Sequence, residues 1–419
     1  MANLDEKILM EDAILDPQKR WIRSRIGDSP LIPGNDSKPK TAILREDLRS
    51  GFNTVGVFPS VETTLKILHK LEEAGVQEVE IGYPHTKEHC EFLRAAKRDG
   101  IKIKMGGHIN VRVKDYRHNI DIAADEGFDL VNFIGAINRI RGNSERKSGV
   151  NSDDEEKRVV EQGVDAIEYA KSKGLFTCAG GETNRLDHFA QAYGAFAKAG
   201  ADRLYVYDAR GWYTPDTVQF LVRYAREIAG KDIDIFLHCH NDFGMAVANT
   251  VMGIKAGARG ADVTINGTGH RTGNAPFEQV ASILKVLCDI ETGIDMSKIY
   301  GICKLVEKEY KIPIPRNAPI TGQYVYSYLG RKIPFCLRGD WLVFENIVAE
   351  ELGQKREIIW AGTTPPGRQG AIPVKVESMG LTCTDAQLDE IYEKMMEVCH
   401  KKTYASDEEM TAIIHSVLG

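Results

Sequence analysis

The chain has 419 residues, 42% of them hydrophobic, and 54 Lys and Arg against 60 Asp and Glu give a net charge of −6. This composition excludes collagen, coiled coil and wholesale disorder, and the length allows a full core without disulfide or metal staples. With no strong positive field and no run of 18 apolar residues, neither nucleic acid nor a membrane is expected as a partner.

Residues 1–40 read as a lead-in, with Asp16–Trp21 as a short helix and a proline-rich connector over Pro30–Lys40. Met1–Lys7 lacks the basic start and apolar stretch of a secretory signal, and the eight cysteines form no CxxC pair. Reduced thiols in a cytoplasmic protein are therefore expected. From residue 41 short apolar runs alternate with amphipathic stretches. The runs predict strands at Thr41–Leu44, Glu78–Ile81, Ile101–Met105, Leu130–Ile134, Phe176–Ala179, Arg203–Tyr207, Ile233–His238 and Asp262–Ile265. Between and after them, helices are predicted over Ser60–Ala74, Asp115–Glu126, Glu155–Lys173, Leu186–Ala199, Pro215–Ala229, Ala246–Ala256 and Pro276–Leu287. Several close on a glycine, as in Ala74-Gly75 and Ala199-Gly200. Eight strands alternating with helices over residues 41–290 predict an α/β fold, a closed (β/α)8 TIM barrel. Residues 291–419 predict a linker at Pro313–Pro319, a loop at Gly362–Gly367 and a smaller, mainly helical C-terminal subdomain.

Active sites of such barrels lie at the C-terminal ends of the strands. The polar residues there are Arg45, Glu46, Asp47, Glu80, His108, Glu182, Asn184, Arg185, Asp208, Arg210, His238, His240, Asn266, His270, Arg271 and Asn274. His238 and His240 carry the most information, because residues i and i+2 of a strand point to the same side. Two imidazoles with a carboxylate make a facial set for a divalent transition metal. Glu46, on the strand expected two places away in the closed barrel, is the third ligand expected, and Asn274 supplies a neutral oxygen. Arg45 is expected to aim into the mouth and neutralise developing negative charge. Glu80 is either a catalytic acid or the partner of a group below the site.

The stretch His238-Cys239-His240-Asn241-Asp242-Phe243-Gly244, with Asn266-Gly267 and Gly273-Asn274-Ala275, resembles the signature of the DRE-TIM metallolyase superfamily. Within it the chain is most similar to the acyl-CoA-dependent Claisen synthases that make homocitrate, isopropylmalate and citramalate. Leu44-Arg45-Glu46 resembles the opening motif of that family, in its homocitrate-synthase form. Glu80-Ile81-Gly82-Tyr83-Pro84 and Asp208-x-x-Gly211 also match. The resemblance implies a divalent metal (Mg, Mn, Zn or Co) held by Glu46, His238, His240 and Asn274. It implies a 2-oxo acid and acetyl-CoA as substrates, catalytic roles for Arg45 and Glu80, and a homodimer. A metal-dependent C–C lyase or aldolase of the same superfamily is the alternative.

Departures cluster at the substrate end. The family pattern continues Leu-Arg-Glu with Gly-x-Gln, and here Asp47-Leu48-Arg49 follow. Gly-Glu-Arg becomes Gly269-His270-Arg271, Asp-Thr-x-Gly becomes Asp208-Ala209-Arg210-Gly211, and Glu-Asp-x-x-Arg becomes Gly181-Glu182-Thr183-Asn184-Arg185. The family's His-x-Ser-Gly-Ile-His segment has no histidine in its counterpart Gln323–Gly330. Tyr324, Tyr326 or Tyr328 is then expected to contribute, or His270 or His108 to act as the base. His108, Arg49, Arg185, Asp208 and Arg210 are expected to bind substrate, Arg49 and Arg210 suiting an acceptor with an extra anionic group.

Overall fold

The computed structural model describes residues 13–29, 32, 34, 35, 38–135, 137, 152–183, 185–361 and 370–419. Eight parallel strands close into a barrel: β1 (Ile43–Asp47), β2 (Glu78–Gly82), β3 (Lys104–Asn110), β4 (Leu130–Ile134), β5 (Phe176–Gly181), β6 (Arg203–Asp208), β7 (Asp234–Cys239) and β8 (Gly260–Val263). Each pairs with its sequence neighbour, and β8 closes the ring by pairing β7 on one side and β1 on the other.

The first unit's helices are α1 (Leu48–Phe52), α2 (Val61–Glu73), α3 (Lys87–Arg98), α4 (Tyr116–Glu126), α5 (Ser152–Ser172), α6 (Leu186–Lys198), α7 (Pro215–Ala229), α8 (Ala246–Lys255), α9 (Phe277–Ser282) and α10 (Ile299–Tyr310). A short π-helical stretch, Ile283–Leu287, prolongs α9. Their apolar stripes face the sheet: α2 buries Ile67, Leu68 and Leu71, and α7 buries Val218, Leu221, Val222 and Ala225. Gly75 ends α2 at φ +87, and a Cβ there would lie 2.5 Å from the Gly293 carbonyl oxygen. Leu130, Cys178, Tyr205, Tyr207 and Phe236 form one apolar cluster, and around it lies a layer of buried charge. Low in that layer Arg203 grips Glu78 with two bonds of 2.7 and 3.1 Å and lies 3.6 Å from the centre of the Phe236 ring.

The chain divides into two compact units, Ile26–Pro313 and a second built from Glu11–Arg25 with Ile314–Gly419. The boundary therefore falls at the proline-rich linker rather than near residue 290. The reason is α10, which buries Ile299, Ile302, Cys303 and Val306 in the first unit. Asp16–Trp21 is not helical, and Ile14–Leu15 pairs instead with Ile22–Arg23 as a two-residue antiparallel ladder in the second unit. That unit adds a three-stranded sheet, β9 (Ser327–Leu329), β10 (Glu357–Trp360) and β11 (Ala405–Ser406), and helices α11 (Ile333–Arg338), α12 (Ala371–Ser378), α13 (Asp385–Lys402) and α14 (Asp407–Leu418). Trp360, Ile372, Ile391, Met395, Met410 and Ile414 form its core. Capping boxes at Thr384 with Gln387 and at Ser406 with Glu409 start its last two helices. The loop expected at Gly362–Gly367 lies outside the described residues.

Candidate active site

Strand parity decides which charges face the barrel axis. In β1 the ladder sets Arg45 beside Asp262 and Glu78, and Asp47 beside Glu80, whereas Glu46 stands beside Val79 and Val263. Arg45 and Asp47 therefore point inward and Glu46 points outward into the helical layer. There its Oε1 accepts the Ile265 amide at 3.1 Å, and burial pushes its carboxyl well above the usual range. Glu46 is 1% exposed and takes no part in the set of inward-facing groups. The expected metal ligand on β1 is thus corrected.

The inward charges form one connected network. Arg45 Nε donates to Asp262 Oδ1 at 2.9 Å and its NH2 pairs with Glu80. Arg49 NH2 donates to Asp47 Oδ2 at 2.8 Å, and its Nε lies 3.9 Å from Glu80 Oε1. Asp47 also caps α1, accepting from the Ser50 amide at 2.8 Å and from the Ser50 hydroxyl at 2.7 Å. Glu80 Oε1 lies 2.9 Å from His108 Nδ1. Burial pushes the His108 imidazolium far down, with Arg49 adding to the shift, so the ring is neutral at ordinary pH.

His238 and His240 lie at the end of β7, their rings 5.2 Å apart. His238 Nδ1 is 2.9 Å from Asp262 Oδ2, and a carboxylate can only accept, so that nitrogen carries the proton. Nε2 is left with its lone pair, and it meets the Asn274 Nδ2 at 3.2 Å. A carboxylate behind a histidine, fixing its tautomer, is the usual support of a metal-binding imidazole. Burial, followed by the neighbouring His238, pushes His240 down to about 3, so it too is neutral. Asn274 arrives from the loop after β8, which bonds along the continuation of β7. The Asn241 amide donates to the Gly273 carbonyl at 3.0 Å and the Ala275 amide to that of Cys239 at 3.3 Å. Gly273 sits at φ +82, and any Cβ there would lie 1.7 Å from the Gly267 carbonyl oxygen, so only glycine closes this loop.

The buried Asn274 Oδ1 and His240 Nδ1 have no hydrogen-bond partner, and His238 Nε2 accepts from the Asn274 amide nitrogen alone. Unsatisfied buried donors and acceptors of this kind are costly unless something binds them. Three neutral N and O donors fit a divalent cation. Asp47, His238 and Asp262 also bring one ligand atom each to within 4.8 Å of one another. Both of those carboxylates are already held by guanidiniums, so the histidine–asparagine set is the better fit.

A cavity of about 160 Å³ opens beside these groups, lined by Arg49, Tyr83, His108, Ile134, Ile137, Glu182, Tyr207, His238 and His240, with Gly180 and Gly181 among its walls. Arg49 is the guanidinium that reaches it; Arg45 is wholly buried beneath. The expectation that Arg45 faces the mouth is corrected accordingly. A frame shift in the sequence explains the error. Leu48-Arg49-Ser50-Gly51-Phe52-Asn53 keeps the leucine, arginine and glycine of the Leu-Arg-Glu-Gly-x-Gln pattern, with Asn53 for its glutamine and Ser50 for its acid.

The remaining expected residues divide. His108 lines the cavity and Glu80 supports it from below. His270 is exposed beside Arg271 and does not line the cavity. Asp208 is spent on structure, accepting from the Trp212 amide at 2.9 Å and Asn249 Nδ2 at 3.1 Å. Arg210 lies over the Trp212 ring and close to Glu182, with its side chain 48% exposed, and Arg185 pairs with Asp187 and Glu156; neither reaches the cavity. Asn184 lies outside the described residues. Sequence reasoning missed Tyr207, Asp262 and the cavity role of Tyr83. Asp262 had a signal: a carboxylate inside the apolar strand Gly260–Val263 must face a partner across the barrel.

Residues 40–306 match the HMGL-like family. The chain is 30% identical over 375 residues to a homocitrate synthase, AksA, of Methanocaldococcus jannaschii, covering 88% of this chain and 89% of that one. It is 32% identical over 384 residues to the (R)-citramalate synthase CimA of the same organism, covering 90% and 74%. Among solved structures it resembles the HMG-CoA lyase of Bacillus subtilis, with a TM-score of 0.54 and 20% identity over 66% of this chain and 96% of that one, a likeness of fold. The barrel, its histidine pair and the extent of these matches together make the chain a member of the HMGL-like family.

Proposed function

We propose that the chain is a divalent-metal-dependent Claisen condensing enzyme. It joins acetyl-CoA to a small 2-oxo acid, and water then releases the CoA thiol, giving a 2-alkylmalate- or homocitrate-like product. The observation that carries this reading is the pair His238 and His240 in the wall of one small cavity with Arg49, and Asn274 in contact with His238 behind it. His238, His240 and Asn274 hold the ion. A divalent ion there supplies Lewis acidity toward the acceptor's keto group. Arg49, its guanidinium in the cavity wall, stabilises the oxygen that becomes an alkoxide. His108 is neutral, lines the cavity, and is the imidazole we assign to take the methyl proton of acetyl-CoA. The enolate carbon then bonds to the keto carbon. Ile134 and Ile137 form an apolar wall for the acceptor's side chain. Of the two arginines expected to suit an extra anionic group, Arg49 lines the cavity and Arg210 does not.

Among the described residues no helix is long and apolar enough to cross a membrane. A cytoplasmic homodimer completes the reading, and light scattering at twice the 46.6 kDa chain mass is its check.

The test of the condensation is release of free thiol from acetyl-CoA by metal-loaded protein, over a panel of pyruvate, 2-oxoisovalerate, oxaloacetate and 2-oxoglutarate. Acceptor-dependent release, absent in His238→Ala, is expected. No release above that variant's background with any acceptor sinks the reading.

A further inference from the structure

The candidate ligands His238, His240 and Asn274 are all neutral, and the carboxylates around them are engaged: Glu182, in the cavity wall, accepts from the Arg210 amide at 3.1 Å and lies 3.8 Å from its guanidinium. Asp262 accepts from His238, from Arg45 Nε and from the Tyr205 hydroxyl at 3.0 Å. Asp47 accepts from Arg49 and twice from Ser50. Glu80 is held by Arg45, and its Oε1 lies 2.9 Å from His108 Nδ1. Glu46 faces the helices. The connected network thus counts three carboxylates (Asp47, Glu80, Asp262) against two guanidiniums (Arg45, Arg49), a net −1. A bare dication would turn that into +1 in a buried place. One further carboxylate brings it to zero. Charge buried without balance is expensive, and the affinity of oxygen and nitrogen sites for hard cations rises with the charge of the ligands.

Ser50 is the residue that sets this balance. It is 2% exposed, it is the third residue of α1, and its hydroxyl bonds Asp47 Oδ2, which lies 3.5 Å from His238 Nδ1. An acidic side chain at this point would add a fourth carboxylate to the network beside His238. We propose that Ser50 leaves the site without one, so that the divalent cation is held by the neutral trio alone and enters together with the carboxylate of the acceptor. The inference rests on the condensation reading only for the identity of that anion as a 2-oxo acid. Its consequence is ordered, mutually dependent binding: the acceptor tightens the metal and the metal tightens the acceptor by the same factor.

The experiment titrates the full chain with Mn2+, reading free ion by its paramagnetic resonance signal, without and with each acid of the panel. At least one acid is expected to tighten Mn2+ by about tenfold or more, in keeping with the dependence on ligand charge. Ser50→Asp should tighten Mn2+ in the absence of acid and flatten the effect of the acid. Equal Mn2+ affinity with and without every acid overturns the proposal, and that comparison needs no variant. So does loss of Mn2+ binding in a folded Asp47→Asn protein, which would make Asp47 the ligand. If an acid tightens Mn2+ and thiol release is still absent, the condensation fails and the shared entry stands. If thiol release occurs with acid-independent Mn2+ binding, the reverse holds.

Discussion

Four positions separate Arg45, a buried support in β1, from Arg49, a group at the cavity in α1. Arg45 is fully enclosed between Glu80 and Asp262, so Arg45→Ala leaves two buried carboxylates without their cation. Breaking a buried pair of this kind costs about 3–5 kcal/mol, and chemical denaturation should register that loss. Arg49→Ala should behave differently. Its guanidinium borders the cavity, so the expected result is a fall in kcat of about 10²–10³ with a smaller loss of stability. Equal catalytic defects in two equally folded variants would return Arg45 to the site. The sequence could not separate these two arginines. Period-two alternation says that Arg45 and Glu46 diverge, but which one faces the axis depends on Asp262 and Glu80, contributed by other strands. The histidine pair needed no such partner, because its i, i+2 spacing fixes a common side by itself. Asn274 and Ser50 show the same contrast. The Gly-rich loop around Asn274 was legible, whereas the importance of Ser50 appears only once Asp47 is seen to bond it.

The element that delivers Asn274 hangs on a second, outward pair of acids. The turn Ile265–Gly267 is held from beneath by Glu46, through the Ile265 amide, and by Glu278 of α9, through the Asn266 amide at 3.0 Å. Burial pushes Glu278 up to about 7 from an ordinary 4.5. Its folded value is raised, so its contribution to stability is present below about pH 4.5 and is lost as pH rises through 7. The shift is worth on the order of 3 kcal/mol at most. Glu278→Gln should therefore melt close to the wild type at pH 5 and above it at pH 8. A wild-type-minus-variant difference that does not change over that window would refute the assignment. Elements of this kind explain where pattern reading succeeded and failed. Seven of the helices around the barrel were legible from their apolar stripes. The helix Lys87–Arg98 was passed over, since its buried Cys90, Phe92, Leu93, Ala95 and Ala96 alternate with six charged residues and a histidine. Strand ends were misplaced where charged residues carry the ladder onward, as at Arg45–Asp47.

Across the whole molecule, stability is unevenly built. The first unit closes its ladder on itself, so the barrel has no free edge, and its interior charge is cross-paired from β1 to β2, β6 to β2 and β1 to β8. Among its described residues, the second unit sets a three-stranded sheet, a two-residue ladder and four α-helices around one apolar core. A smaller unit buries a smaller fraction of its surface, and parts with fewer long-range partners open at lower free energy. Hydrogen exchange should therefore show amides of β9, β10 and α11 to α14 exchanging through a sub-global opening while β1 to β8 remain protected. Addition of Mn2+ with an acceptor should slow exchange in β7, in the Gly267–Asn274 loop and in α1, since those segments carry His238, Asn274 and Ser50. Protection is expected to stay unchanged in the helices of the second unit. Simultaneous exchange of both units would mean that they unfold as one body. Ligand protection confined to the second unit would move the site away from the barrel mouth altogether.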